Sequence, residues 1–182
     1  MANAPPQAAA RTMPLAQAVI LPQQVCCTRK RILMIVGSLR EGSLNLQLAQ
    51  EAAALLGERA ETMVLNYTGL PWFNQDTEFP TSREVQRVRV EILTAHGLWF
   101  FTPEYNSSYP GVLKNLLDWL SRPLWECGIP PGTAIQGKKA AVSGAGGKSA
   151  AGGARQKLTE VLKTIRAIPM EEPQTGVTLS TE

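Results

Sequence analysis

The sequence predicts an α/β domain with a doubly wound parallel sheet of about five strands and helices on both faces. Short apolar runs alternate with stretches of helical spacing along almost the whole chain, the order typical of βα units. The first run, residues 32–36, is continuously apolar, as expected for a strand buried on both faces of a parallel sheet. Turns rich in Gly, Pro and Ser separate the runs and indicate their ends.

The first half of the domain contains two predicted strands and two predicted helices. The first strand ends at Gly37, and Ser43 is the expected N-cap of a helix that stops at Gly57. Residues 63–65 are expected to form the second strand. A capping box, with Thr81 as N-cap and Glu84 three residues later, predicts the start of the second helix. The apolar residues of the two helices fall at helical spacing: Leu48, Ala52, Leu55 and Leu56, then Val85, Val88 and Ile92.

The second half continues the alternation. Residues 98–101 predict a third strand, and Pro110 suits the first turn of a third helix, which Pro123 ends. A short fourth strand is expected at residues 140–142, followed by a glycine-rich turn. A fifth strand is expected near Ile168 or around Val177. The buried faces of the third and fourth helices are predicted to be Leu113, Leu116, Leu117 and Leu120, then Leu158, Val161, Leu162 and Ile165.

Length and composition limit the function. With 182 residues, 44% of them hydrophobic and 18% charged, the chain suits one globular domain with a sizeable core. A net charge of +3 is too small to indicate nucleic-acid binding. Cys26, Cys27 and Cys127 give neither a disulfide framework nor metal-ligand spacing, and His96 is the single histidine. A metal site is therefore not expected, and a reducing cytoplasm is the expected compartment.

The first 28 residues differ from the rest in composition. They are rich in Ala, Pro and Gln and contain no acidic residue. The short apolar run at residues 15–21 has no basic flank and no convincing cleavage site, so a secretory signal is not expected. No run reaches the roughly 18 residues that span a bilayer, so no membrane partner is expected. We expect a disordered extension over residues 1–28 and the folded domain over residues 29–182.

Residues 37–45 form the loop between the first strand and the first helix, and they suit a terminal phosphate. Ser38, Ser43 and Asn45 carry side-chain donors, Arg40 carries a guanidinium, and a helix N-terminus adds free N–H groups. The glycine spacing resembles a P-loop, but Ser-Leu stands where Lys followed by Ser or Thr is required. The alternative interpretation of this loop is an ordinary βα turn with a serine cap, which would need fewer polar residues than the four found here.

Two further loops are expected at the same edge, at residues 102–110 and 143–147. In a sheet of this kind, ligands bind beyond the carboxyl ends of the strands, where the strand order reverses. The glycines of the second stretch do not complete a dinucleotide fingerprint, because Ser149 stands in place of the last glycine. These loops therefore predict a ligand site without a separate dinucleotide motif.

Two motifs resemble the NADPH-dependent FMN reductase family, which includes bacterial chromate reductases, quinone reductases and FMN-dependent azoreductases. They are Gly37-Ser-Leu-Arg-x-Gly-Ser-x-Asn and Pro103-Glu-Tyr-Asn-x-Ser-x-Pro-Gly-x-Leu-Lys-Asn-x-x-Asp-Trp-x-Ser-Arg. The resemblance runs from about residue 31 to residue 166. It departs in the third loop, where residues 148–151 are extra, and at the end, where the family continues into a last helix. The resemblance implies a flavodoxin-like domain, with the last helix not represented.

The resemblance also implies a cofactor and a reaction. FMN would be bound, NADPH or NADH would reduce it, and a small oxidant such as a quinone, chromate or an azo compound would take the electrons from the same flavin face by a ping-pong mechanism. No catalytic side chain is expected, because the flavin carries the chemistry. A homodimer or homotetramer is implied. The implied FMN-binding residues are Ser38, Leu39, Arg40, Ser43, Leu44, Asn45, Pro103, Glu104, Tyr105, Asn106, Ser143, Gly146 and Gly147.

Individual residues keep alternative interpretations. Glu104 either touches the ligand or is a solvated loop carboxylate, and Tyr105 is interpreted as a pocket wall in preference to an acid. Trp119 lies either at a subunit contact or near the cofactor. For the whole protein, a flavodoxin-type electron carrier is the main alternative, and a redox-responsive flavin-binding regulatory protein is the second. Arg40 and the positive charge balance argue against the carrier, since flavodoxins are acidic and lack arginine in this loop.

Overall fold

The computed structural model describes residues 29–124 and 132–178. The expected N-terminal extension and all three cysteines lie outside these residues. Within the described part, no helix combines the length and apolarity needed to cross a membrane. The elements follow one another as β1 (Lys30–Val36), α1 (Leu44–Leu56), β2 (Ala60–Val64), α2 (Arg83–Thr94), β3 (Gly97–Phe101), α3 (Gly111–Leu120), β4 (Lys139–Gly146), α4 (Gly152–Thr164), β5 (Ile168–Pro169) and β6 (Thr175–Thr178).

One parallel sheet organises the described chain, with the strand order β2-β1-β3-β4-β5. This is the flavodoxin-like order. The chain adds β2 on one side of β1 and then β3, β4 and β5 on the other, so the strand order reverses between β1 and β3. Both predicted positions of the fifth strand are strands: β5 pairs with the start of β4, and β6 pairs with its end. The predicted fold class is confirmed.

The two faces of the sheet carry different cores, because successive side chains of a strand point to opposite faces. Leu33 and Ile35 of β1 belong to a large core with the apolar faces of α2, α3 and α4. Met34 and Val36 belong to a smaller core with α1. Among the described helices, α1 alone covers this second face.

The capping prediction is right for α1 and wrong by one residue for α2. Ser43 caps α1, and its side chain accepts a hydrogen bond from the Leu46 N–H at 3.4 Å. For α2 the N-cap is Ser82, which accepts from the Val85 N–H. The predicted cap, Thr81, instead donates its hydroxyl to the Glu78 carbonyl oxygen at 3.0 Å. Two adjacent hydroxyl residues both suit an N-cap by type, and the local turn decides between them.

The fourth strand is longer than predicted. The glycine-rich residues 143–146 continue β4, although the sequence predicts a turn there. Gly144 shows the reason, because a Cβ atom at this position would lie 2.6 Å from the Thr102 carbonyl oxygen. Its missing side chain therefore allows close packing of strand and loop. The chain turns later, where Ala150 and Ala151 have φ values of 49° and 57°.

Candidate functional site

A cavity of about 190 Å³ opens at the carboxyl ends of β1, β3 and β4, next to the point where the strand order reverses. It brings together residues from all three predicted loops. The residues lining it are Ser38, Arg40, Ser43, Leu44, Asn45, Pro103, Glu104, Tyr105, Ala145 and Gly146. Ala145 is the one that sequence reasoning missed, and only its position between two glycines of a candidate loop could have indicated it.

The first loop supplies the positive end of the cavity. Gly42 turns the chain with a φ of 66°, a conformation that glycine adopts without a steric penalty. Ser43 is buried and fixes the first turn of α1, whose N–H groups have no intrahelical acceptor. Arg40 is exposed, and its guanidinium donates to the Glu41 carbonyl oxygen at 3.3 Å. The charge of Arg40 and the dipole of α1 both favour an anion here.

Asn45 joins this loop to β4 instead of offering its whole amide to a ligand. The side-chain Nδ2 donates to the Ala145 carbonyl oxygen at 3.1 Å, and Oδ1 accepts from the Ala145 N–H at 2.9 Å. The side chain is buried, with 3% of its surface exposed. Asn45 therefore holds the start of α1 against the end of β4 and sets the width of the cavity.

The second loop presents an aromatic side chain at the mouth of the cavity. Tyr105 and Ser108 exchange backbone hydrogen bonds of 2.9 and 3.0 Å, and the two residues between them, Asn106 and Ser107, have φ values of 51° and 57°. Two positive φ values are the pattern of a type I′ turn. Tyr105 stands at the edge of this turn with 52% of its surface exposed, which leaves its ring free to contact a flat ligand.

Glu104 connects the second loop to α4. One carboxylate oxygen, Oε2, accepts from the Ala154 N–H at 3.0 Å, and Oε1 accepts from the Ser149 hydroxyl at 3.3 Å. The carboxylate thus lies at the N-terminus of α4, where the helix dipole favours negative charge. The carboxylate is therefore not a free solvated group. Glu104 also lines the cavity, and its contact with the ligand stays a prediction.

Several predicted residues lie outside the cavity lining. Ser143 is buried in β4, and its hydroxyl accepts from Trp99 Nε1 at 3.0 Å on the α1 face of the sheet. The sequence suggested a loop residue here, but the extension of β4 fixes the side chain in the strand. Leu39, Asn106 and Gly147 are exposed beside the cavity without lining it.

Trp119 occupies neither of its predicted positions. Only 1% of its surface is exposed, its Nε1 donates to the Pro71 carbonyl oxygen at 2.8 Å, and its ring packs edge-on against Phe73 at 5.0 Å. The residue therefore fixes the loop after β2 within one chain. On the same helix, Lys114 and Asp118 form an ion pair at 2.7 Å.

Tyr67 supports the start of the 37–45 loop through a hydrogen bond to β1. Sequence reasoning missed this residue. Its hydroxyl donates to the carbonyl oxygen of Val36, the last residue of β1, at 2.6 Å. Burial raises the pKa of Tyr67 above its ordinary value, so the hydroxyl stays protonated and remains a donor. On the other side of β1, the Gly37 N–H donates to the Phe101 carbonyl oxygen at 2.8 Å. These two bonds position the start of the 37–45 loop.

Replacing Tyr67 with phenylalanine is expected to lower the free energy of unfolding by about 1–3 kcal/mol, because the buried Val36 carbonyl loses its donor. Affinity for FMN is expected to fall as well, by up to about tenfold, since the loop loses one of its two anchors. Chemical denaturation and fluorescence titration with FMN measure the two effects. Tyr109→Phe is the control, because Tyr109 is a half-buried residue that does not line the cavity. Equal losses in both variants would contradict the role given to Tyr67.

The residues around the cavity fit a phosphorylated flavin. A cation, two serine hydroxyls and a helix N-terminus meet at one end, and this donor set matches a phosphate. At the other end Gly146 has no side chain, and the Tyr105 ring is exposed. A flat ring system requires such a close approach to the backbone.

Comparisons with known proteins agree with this geometry. The sequence pattern of the NADPH-dependent FMN reductase family matches residues 30–182. A Pseudomonas aeruginosa protein named NAD(P)H-dependent FMN reductase is 37% identical over 148 residues, which are 79% of this chain and 75% of that protein. A Burkholderia 2-hydroxy-1,4-benzoquinone reductase is 43% identical over 93 residues, about half of each chain.

A solved structure is also similar. FerB, a flavoenzyme NAD(P)H:(acceptor) oxidoreductase from Paracoccus denitrificans, superposes with a TM-score of 0.76 and 32% identity. The superposition covers 84% of this chain and 81% of that one. The family match over residues 30–182 includes every residue that lines the cavity.

Proposed function

Because this chain belongs to the NADPH-dependent FMN reductase family and is an FMN-dependent NAD(P)H oxidoreductase, we propose how its residues hold the cofactor and which oxidants it reduces. The observation that carries the proposal is the cavity where Arg40 and the N-terminus of α1 meet the exposed ring of Tyr105. This cavity offers an anion site and a flat wall side by side.

The phosphate of FMN is assigned to the first loop. Ser38, Arg40 and Ser43, with the first N–H groups of α1, provide neutral and charged donors on one side of the cavity. Asn45 acts mainly through Ala145, whose position it fixes. The flavin ring is assigned to the space between Tyr105 and Gly146, where Leu39 and Gly147 stand exposed nearby.

The electron acceptors are proposed to be quinones and similar small planar oxidants, with chromate and azo compounds as further candidates. Names of the relatives, such as benzoquinone reductase and quinone reductase from Escherichia coli, support this class. FMN, when bound, supplies the two-electron redox chemistry. The residues of this chain bind it, orient it and leave one face accessible at Tyr105, so nicotinamide and oxidant would use the same place in turn.

An assembly and a location are also proposed. Trp72 and Phe79, in the loop after β2, have 73% and 44% of their surfaces exposed, and exposed large apolar side chains often mark an interface. We therefore propose a homodimer or homotetramer. A cytoplasmic location is proposed because a nicotinamide-dependent enzyme needs the nicotinamide pool of the cytoplasm.

The electron carrier remains the second candidate function, and turnover separates the two. A reductase of this kind is expected to give parallel initial-rate lines at several fixed quinone concentrations. The oxidised nicotinamide is expected to form in an anaerobic half-reaction before any acceptor is added. Intersecting lines without such a half-reaction would contradict the shared site, and no turnover with any quinone would favour the carrier.

Replacing Tyr105 with phenylalanine is expected to change the rate of this half-reaction by less than about tenfold, because an exposed pocket wall transfers no proton. Loss of general acid–base catalysis would cost about 10²-fold or more. Stopped-flow absorbance of the flavin measures the rate in both proteins. A loss of that larger size, with FMN affinity unchanged, would mean that the Tyr105 hydroxyl takes part in the chemistry.

A further inference from the structure

A lysine lies in the turn that follows β4, next to the end of the cavity assigned to the flavin ring. Lys148 comes two residues after Gly146, which lines the cavity. Their Cα atoms are therefore at most about 7 Å apart, and the long side chain of Lys148 adds to its reach. The residues assigned above to FMN do not include this lysine, so its charge has no role in the binding described so far.

Hydrogen bonds fix the turn that carries Lys148. The Ala150 N–H donates to the Gly147 carbonyl oxygen at 2.9 Å, which places Lys148 and Ser149 at the two central positions of a turn. The Ser149 hydroxyl donates to Oε1 of Glu104 at 3.3 Å, and Glu104 lines the cavity. The turn is thus attached to the cavity wall through the residue next to the lysine, so little backbone freedom remains to be lost when a ligand binds.

The charge of Lys148 is exposed at this rim. Among the residues that the structure describes, its ammonium has no ion-pair or hydrogen-bond partner. The carboxylate of Glu104, on the same wall, is already bonded to the N-terminus of α4. Arg40 and Glu41 belong to the first loop, at the end assigned to the FMN phosphate. A positive charge is therefore left over where the ring end of the cavity opens to solvent.

A nicotinamide dinucleotide brings anions to this rim. When its nicotinamide lies on the flavin face at Tyr105, the diphosphate follows one ribose away and must pass the edge of the cavity. NADPH carries a further phosphate on its second ribose. The sequence has no dinucleotide fingerprint to bind these phosphates, whereas a lysine ammonium binds a phosphate as a point charge.

We propose that Lys148 binds a phosphate group of the nicotinamide dinucleotide while the dinucleotide reduces FMN. This inference rests on the proposed place of the nicotinamide at Tyr105. The phosphate is either the diphosphate, which NADH and NADPH share, or the 2′-phosphate, which only NADPH carries. Lys148 strengthens binding in both cases and takes no part in hydride transfer.

Stopped-flow reduction of the FMN-loaded protein tests this role, because it separates the Kd of the dinucleotide from the limiting rate of flavin reduction. Lys148→Gln is expected to raise the Kd by about three- to fivefold, the effect of losing an exposed ion pair. Lys148→Glu is expected to raise it by about 10- to 25-fold, since reversing the charge doubles the free-energy change. Lys148→Arg is expected to keep the Kd of the wild type. The limiting rate is expected to stay the same in all three variants, and the differences in Kd are expected to shrink at high salt.

The two dinucleotides identify the phosphate, and a second lysine provides the control. Equal increases in Kd for NADH and NADPH would assign Lys148 to the diphosphate, and an increase for NADPH alone would assign it to the 2′-phosphate. Lys139→Glu makes the same change of charge at an exposed position at the amino end of β4. This position is about 23 Å from Gly146 along the strand, so both Kd values are expected to stay unchanged.

Three results would overturn the proposal. The first is a Kd that does not change across the Lys148 variants, and the second is an equal increase in Lys139→Glu. The third is a loss of FMN affinity in Lys148→Glu with riboflavin affinity unchanged, because the lysine would then belong to the phosphate of the cofactor. The initial-rate lines at fixed quinone concentrations test the shared flavin face separately, so a failure of that proposal is distinguishable from a failure of this one.

Discussion

Replacing Arg40 with alanine is expected to weaken FMN binding by about 10- to 150-fold while leaving riboflavin binding unchanged. The guanidinium lies at the cavity beside the N-terminus of α1, and a hydrogen bond to a charged group contributes about 1.5–3 kcal/mol. Riboflavin lacks the phosphate and therefore cannot lose this interaction. The fold is expected to remain intact, because Arg40 is exposed and bonds only locally, to the Glu41 carbonyl oxygen.

Fluorescence titration of the apoprotein with both flavins measures this difference. Arg83→Ala is the matched control, since it removes the same charge from an exposed position at the start of α2 and is expected to leave both affinities unchanged. The loss in Arg40→Ala is also expected to shrink at high salt, because an exposed charge is screened. Equal losses for FMN and riboflavin would show that Arg40 supports the loop and not the phosphate.

Local chemistry made much of the fold predictable. Ser43 and Gly57 mark the ends of α1 in both sequence and structure, because caps depend on a few adjacent residues. The continuous apolar run that starts at residue 32 identified a central strand, and β1 indeed lies between two partners. The predicted topology alone also placed the three loops together, since the carboxyl ends of parallel strands meet at one edge of the sheet.

Contacts between distant parts of the chain were not predictable in the same way. Asn45 bonds to a residue 100 positions away, and Tyr67 bonds to a carbonyl 31 positions earlier. In the sequence, Asn45 is interpreted as a donor to the phosphate, and Tyr67 looks like an ordinary polar residue. Ser143 reads as a loop residue because glycines surround it, yet those glycines allow close packing in a strand. Such roles depend on tertiary packing, which a local pattern does not contain.

Asn45 gives the second large effect, this time on stability. Asn45→Ala is expected to lower the free energy of unfolding by about 2–6 kcal/mol. The change removes both hydrogen bonds to Ala145 and leaves a buried N–H and a buried C=O without their partners, at about 1–3 kcal/mol each when unsatisfied. Because the clamp also sets the distance between α1 and β4, FMN affinity is expected to fall in the same variant.

Asn115→Ala is the control that separates the effect of burial from the loss of the hydrogen bonds themselves. The amide of Asn115 makes the same kind of clamp, donating to the Pro71 carbonyl oxygen at 3.0 Å and accepting from the Phe73 N–H at 2.7 Å, but it is only half-buried. Water can replace its bonds, so the expected loss is about 1 kcal/mol. Denaturant unfolding of the two apoproteins measures both values. A loss at position 45 no larger than that at position 115 would mean that water reaches Ala145, and the two elements would then be held together by apolar packing and not by the amide.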